Sequence, residues 1–239
     1  FLSYLDNKDC LVMDFFAGSG TTGHATMLQN LSDTGNRRFI LIQLPEPIDP
    51  VYKDNKTLIS ICDEIDRPHN IAELTKERLR RSGQKIQGEN PLFSGDLGFK
   101  VFKLDSTNIQ EWEADHENLP QTLEDSIDHL KLDRTEMDIL YEVLLKLGLD
   151  LCISVEQKNV SGKTVYCLDN GVLVACLAEN ITRSEVESIA QAIIDWHKTQ
   201  SPDTETTCVF RDSAFEDDVA KTNMAAILKQ NGLTNVRSL

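Results

Sequence analysis

Short unbroken apolar runs and longer stretches with a three-to-four-residue beat alternate along the first hundred residues. Residues 10–15 and 38–42 are apolar runs of strand length, the pattern of buried strands. The first leads into Gly18, Gly20 and Gly23 and then a helix-like stretch over 24–30. Pro45, Pro47 and Pro50 enforce a loop after the second. Asn70 is placed to cap a helix, with Glu73 three residues on as its capping-box partner. Ile71, Leu74 and Leu79 share one face of that helix, while Lys76, Arg80 and Arg81 face elsewhere. Residues 98–104 read as a third strand. This order predicts an α/β fold built on a doubly wound parallel sheet.

The pattern then changes. Residues 110–132 are acidic and without periodicity, as Glu111, Glu113, Asp115, Glu117, Glu124, Asp125 and Asp128 show, and read as a linker. Asp133 is placed to cap a helix striped by Met137, Leu140, Tyr141 and Leu144. Residues 151–155 are strand-like. Residues 164–168 and 172–177 flank Asp169, Asn170 and Gly171, a hairpin signal. An amphipathic helix is predicted over 184–197 (Val186, Ile189, Ala190, Ile193), a strand over 207–210, and a last helix over 217–230 with Ala220, Met224 and Ile227 on one face. Residues 133–239 therefore predict a small α+β domain, and 1–109 a separate α/β one.

Composition narrows the classes. The chain has 239 residues, 40% hydrophobic and 26% charged, which is ordinary globular usage and excludes low complexity or wholesale disorder. The longest apolar run, 172–178, is far short of the ~20 residues a bilayer helix needs, so no membrane partner is expected. The net charge of −15 is uneven: residues 1–110 carry 13 basic and 15 acidic side chains, residues 111–239 carry 11 and 24. The second half should repel a phosphate backbone, which is bound through clustered Lys and Arg. None of the six cysteines forms a Cys-x-x-Cys pair or has a histidine at zinc-ligand spacing. They read as buried free thiols in a reducing, cytoplasmic setting. Residues 1–5, beginning with Phe1, look like the last turns of an apolar helix, and the chain is expected to be a piece of a longer protein.

One segment carries chemistry. A strand ending in glycines and opening a helix brings backbone N–H groups close to a ligand. Gly18, Gly20 and Gly23 satisfy Gly-x-Gly-x-x-Gly, a spacing that a tight strand-to-helix turn also satisfies. Asp14 ends the strand. Its carboxylate opposes the pyrophosphate of a dinucleotide but suits the ammonium and sulfonium of S-adenosylmethionine. The histidines (His24, His69, His116, His129, His197) are scattered, with no nucleophile–base grouping. The basic run Arg78, Arg80, Arg81 and Lys85 fits either a phosphate contact or a solvated helix face.

Asp14-Phe15-Phe16-Ala17-Gly18-Ser19-Gly20-Thr21-Thr22-Gly23-His24-Ala25 resembles the cofactor motif of amino-methylating DNA methyltransferases of the permuted class, in which the catalytic motif comes first. With Phe39-Ile40-Leu41-Ile42-Gln43-Leu44-Pro45-Glu46-Pro47, Thr75-Lys76-Glu77-Arg78-Leu79-Arg80-Arg81, residues 98–106 and residues 210–215, the chain resembles the C-terminal part of a type III restriction–modification Mod subunit. That resemblance implies a Rossmann-like methyltransferase sheet, S-adenosyl-L-methionine as cofactor, adenine N6 in DNA as substrate, a Mod homodimer and a restriction (Res) subunit as partners. It places Phe16, Ala17, Gly18, Ser19 and Gly20 around the methionine and ribose end of the cofactor, Asp14 near its amino group, and Thr21 and Thr22 at the helix over the pocket. The acid that usually ends the second strand and holds the ribose is replaced by Gln43, with Glu46 three residues later; either is a candidate. The family's (Asp/Asn)-Pro-Pro-(Tyr/Phe) catalytic loop is absent, since no Pro-Pro occurs in the chain. Asp49-Pro50-Val51-Tyr52 lacks the second proline. Residues 1–109 are thus expected to hold half of a cofactor site without a catalytic residue. Two other readings stay open: a dimerisation or partner-binding module without ligand affinity, and an NAD-dependent oxidoreductase.

Overall fold

A parallel pair of strands covered by helices on one face begins the described structure. In the computed structural model, which describes residues 7–109, 130, 131, 133–200, 202 and 204–239, the chain divides into two units, Phe1–Val101 and Phe102–Leu239. The first contains β1 (Leu11–Asp14), α1 (Thr21–Asp33), β2 (Arg38–Leu41), α2 (Lys56–Glu64) and α3 (Ile71–Glu89). β1 and β2 pair in parallel from Leu11↔Arg38 to Asp14↔Leu41. α1 buries Gly23, Thr26, Met27 and Asn30, one helical face. Asn30 fastens the crossover: its Nδ2 donates to the Arg37 carbonyl at 2.8 Å and its Oδ1 accepts the Arg37 N–H at 3.0 Å. Met27, Leu79 and Ile86 form the core, with Phe39, Leu41, Phe93, Leu97 and Phe99 packed on it. Strand alternation leaves the other face apolar and exposed, through Leu11, Met13 and Phe15 on one side and Ile40, Ile42 and Leu44 on the other.

Three expectations change here. Residues 98–104 form no strand. Leu97 and Phe99 instead anchor an irregular segment on the core, and Val101 and Leu104 face solvent, so the described first unit pairs two strands rather than three. Asn70 does cap α3, accepting the Glu73 N–H at 3.0 Å, but the Glu73 carboxylate turns to Lys76 instead of closing the box. α2 follows the proline loop unforeseen; it buries Cys62 against Ile48 and Leu74.

The second unit contains α4 (Glu136–Leu147), β3 (Val155–Val160), β4 (Lys163–Leu168), β5 (Leu173–Cys176), α5 (Arg183–Gln200), β6 (Thr207–Phe210), α6 (Asp218–Gln230) and β7 (Asn235–Ser238). Its five-stranded sheet runs β3-β4-β5-β6-β7. The first three strands are antiparallel and the last three parallel. Alternation along β4 sends Val165 and Cys167 to a core shared with Ile189, Ile193, Trp196 and Met224 of α5 and α6. Tyr166 and Leu168 go to the opposite core, with Leu140 and Leu144 of α4. The unit is therefore a three-layer arrangement around a mixed sheet, more α/β than the α+β domain expected. Together the two units show six α-helices among the described residues, and the α/β class stands.

Details differ from the sequence reading. Thr135, not Asp133, caps α4: its hydroxyl accepts the Asp138 N–H while the Asp138 carboxylate accepts the Thr135 N–H at 2.9 Å. The strand expected at 151–155 starts at Val155. Asp169, Asn170 and Gly171 form a short 3₁₀ turn, all with positive φ, between antiparallel β4 and β5. Residues 1–5 and most of 110–132 lie outside the described residues.

Residues 102–109 dock on α4. Phe102 packs edge-on against Tyr141 with ring centroids 4.9 Å apart. The Thr107 hydroxyl and Asn108 N–H donate to Glu142 at 2.5 and 2.7 Å, and Lys146 pairs with it at 3.0 Å. Burial alone would raise the Glu142 pKa; these donors reverse that and hold it at about 2 against the ordinary 4.5. A depressed folded-state value means stability present above pH 4.5 and lost as pH falls toward 2. Glu142 is expected to contribute about 3 kcal/mol at neutral pH. Melting temperature against pH should fall less steeply between 4.5 and 2 in Glu142→Gln than in the wild type.

Candidate functional site

The turn from β1 into α1 is built from glycines that do different jobs. Gly18 sits at φ 54° and Gly20, the N-cap of α1, at φ 80°, a region that costs most side chains about 1–2 kcal/mol. A Cβ on Gly20 would lie 3.1 Å from Thr75 Cγ2 of α3. Gly23 is needed for proximity instead, with its imagined Cβ at 2.7 Å from Leu79 Cδ2 and 2.9 Å from Leu41 Cδ1. Over Gly18 the space is open, the nearest atom being the Phe16 carbonyl at 3.9 Å.

Asp14 organises the turn. Its Oδ1 accepts the Phe16 N–H at 3.0 Å and its Oδ2 accepts the Thr22 hydroxyl at 2.5 Å. A carboxylate therefore stands at the start of α1, where the helix dipole favours negative charge, and no side chain caps Gly20. Ala17 is buried, its N–H donating to the Ile42 carbonyl at 3.2 Å. Phe16 projects into solvent at 91% exposure. Ser19 is half-buried and Thr21 exposed. From the end of β2, the Gln43 Oε1 accepts the Gly18 N–H at 2.7 Å while its Nε2 donates to the Leu44 carbonyl at 3.1 Å.

Asp14, Phe16, Gly18, Thr22 and Gln43 are thus linked in one constellation. Glu46 joins through its backbone alone, its carbonyl accepting the Ile71 N–H at 3.1 Å. Thr75 is the residue the sequence reading missed: its hydroxyl lies 2.5 Å from the Gly18 carbonyl and 3.0 Å from that of Ile71. A threonine in a charged helical run gives no local signal of such a contact.

The other candidates resolve into structural roles. Arg80 and Arg81 pair with Glu77, and Arg81 with Glu64, as on a solvated helix face. Asp49 accepts the Val51 N–H at 2.8 Å in an exposed turn. His69 meets Asp63 and His197 meets Thr206. Burial, with the Arg78 and Lys85 charges, lowers the pKa of His24. His116 and His129 lie outside the described residues. Cys62, Cys167, Cys176 and Cys208 are the buried free thiols expected, whereas Cys10 is half-buried and Cys152 exposed; burial pushes Cys167 and Cys176 up to about 11 and Cys208 to about 12. Among the described residues no cluster of three metal-binding side chains occurs, and no helix is long and apolar enough to cross a membrane.

No known family profile matches the chain. It is similar to the Mod subunit of the type III restriction–modification enzyme StyLTI from Salmonella typhimurium, 39% identical over 98 residues, 41% of this chain and 14% of that one. It is 29% identical over 218 residues to the Mod subunit of EcoP15I from Escherichia coli, covering 90% of this chain and 30% of that subunit. It is also 52% identical over 47 residues to the type II methyltransferase M.KpnI of Klebsiella pneumoniae, covering 20% of this chain and 11% of that enzyme. The chain spans less than a third of the length of these curated relatives.

Proposed function

This chain is a relative of the type III restriction–modification Mod subunits, and from that premise we propose that residues 1–109 bind S-adenosyl-L-methionine as one part of a DNA adenine-N6 methyltransferase. The observation that carries the reading is Asp14, whose carboxylate ties the turn from β1 into α1 through the Phe16 N–H and the Thr22 hydroxyl, in a loop whose Gly18 has open space above it. That arrangement suits a ligand bearing an ammonium and a sulfonium and repels a pyrophosphate. Bound there, the sulfonium would supply the activated methyl group.

In this reading Asp14 attracts the amino group, Phe16 offers an aromatic surface, and Ala17, Gly18, Ser19, Gly20, Thr21 and Thr22 shape the loop beneath the methionine and ribose. Gln43 and Glu46 stand at the end of β2 as candidates for the ribose. The chain has no Pro-Pro pair, so the loop that receives the flipped adenine, with the target-recognition segment, belongs to another part of the protein. The two-stranded sheet is then one portion of a larger Rossmann-like sheet, since parallel strands are ordinarily covered on both faces. The acidic 133–239 domain serves assembly, within a Mod homodimer and with a Res subunit, in the cytoplasm.

The exposed apolar row on β1 and β2 favours one competing reading, a partner-binding module without ligand affinity of its own. Titration calorimetry separates the two. S-adenosylhomocysteine is expected to bind the folded chain, and NADH is not. A folded chain that binds neither supports the module; one that binds only NADH overturns the methyltransferase reading.

A further inference from the structure

Both peptide groups of Gly18 are held by side chains distant in sequence. On one side the Gln43 amide oxygen accepts its N–H at 2.7 Å. On the other the Thr75 hydroxyl sits 2.5 Å from its carbonyl. The two side chains come from the end of β2 and from α3, 25 and 57 residues away. Gly18 has φ 54° and lies in a turn closed by the Gly20 N–H on the Ala17 carbonyl at 2.8 Å, and the two side chains hold it from outside that turn. Thr75 is buried, and its Cγ2 and backbone lie against Gly20. Gln43 is committed inward, its Nε2 also being tied to the Leu44 carbonyl. The Glu46 side chain, by contrast, has no hydrogen-bond or ionic partner among the described residues.

We propose that Gln43 and Thr75 are positioning residues that clamp Gly18 from opposite sides and fix the glycine loop in its ligand-ready shape before any ligand arrives, Gln43 acting through the loop and not through a ribose hydroxyl. The proposal rests on the cofactor reading for its consequence and on the geometry alone for the clamp. A preorganised loop spares the ligand the cost of ordering it. The neutral amide suits this work: it accepts the Gly18 N–H while donating to a carbonyl, which a carboxylate cannot do.

The test uses the full chain and two readouts. Amide exchange at Gly18, followed by NMR without ligand, is expected to be slow in the wild type and at least tenfold faster in Gln43→Ala. Thr75→Val is expected to speed it as well, and Thr75→Ser to restore it. S-adenosylhomocysteine affinity is expected to fall about tenfold in Gln43→Ala, the worth of one hydrogen bond. The same factor is expected for analogues lacking the 2′ or the 3′ hydroxyl. A loss that vanishes with either deoxy analogue makes Gln43 a ribose contact and overturns its assignment. Unchanged Gly18 exchange in both Gln43→Ala and Thr75→Val overturns the clamp. A wild type with slow Gly18 exchange and no affinity for S-adenosylhomocysteine upholds the clamp and sinks the cofactor reading instead.

Discussion

Gly18→Asn is expected to weaken S-adenosylhomocysteine binding at least a hundredfold, about 3 kcal/mol, while leaving the fold intact. Asparagine is among the residues that tolerate φ near 54°, and the position has room for a side chain. Backbone strain is therefore small, and neither half of the clamp is removed. The added amide occupies the open space over Gly18, which the proposed function gives to the ligand. Calorimetric affinity together with the circular dichroism spectrum and melting temperature would check it. A folded variant that binds within threefold of the wild type would place the ligand elsewhere.

Gly23→Val should do the reverse, damaging the fold itself. The first atom of the new side chain would lie below 3 Å from both Leu79 Cδ2 and Leu41 Cδ1, and a branched residue adds two methyls. These neighbours are core side chains packed with Met27 and Phe39, so α1 must lift from β2 and α3. Overpacking of this kind costs about 3 kcal/mol, a large share of what a unit of roughly a hundred residues possesses. Amide protection should collapse across residues 7–101 and persist in β4, β5 and α5. Uniform protection in both units would show that the helix slides to make room.

The pair also shows where sequence was informative. Gly-x-Gly-x-x-Gly gives all three glycines one label, yet Gly18 lies under open space, Gly20 against α3 and Gly23 deep in a helix–strand contact. Apolar periodicity reaches β2, β6 and the helices at 183–200 and 218–230 to within a few residues, because each buries one clear face or a whole strand. It fails at β3, whose Glu156, Gln157, Lys158 and Asn159 face solvent, and at β7, where Asn235, Arg237 and Ser238 leave one apolar residue to read. It misleads at 98–104, where the apolar residues anchor an irregular segment. Gln43 and Gly18 are both named from the sequence, but the hydrogen bond that joins them is not. Thr75 was invisible because its importance arises from a contact 57 residues away.

β3 has a further consequence for how copies of the protein behave in solution. Among the described residues it is the outermost strand at one end of the five-stranded sheet, and an outermost strand offers unpaired N–H and C=O groups to any extended chain that drifts past. Glu156 and Lys158 load that border with charge, and the Lys158 ammonium is held 4.0 Å over the Trp196 ring instead of swinging free. An incoming strand would have to desolvate those charges to add itself to the sheet. The polarity that hid β3 from the periodicity thus protects that end of the sheet from runaway strand addition.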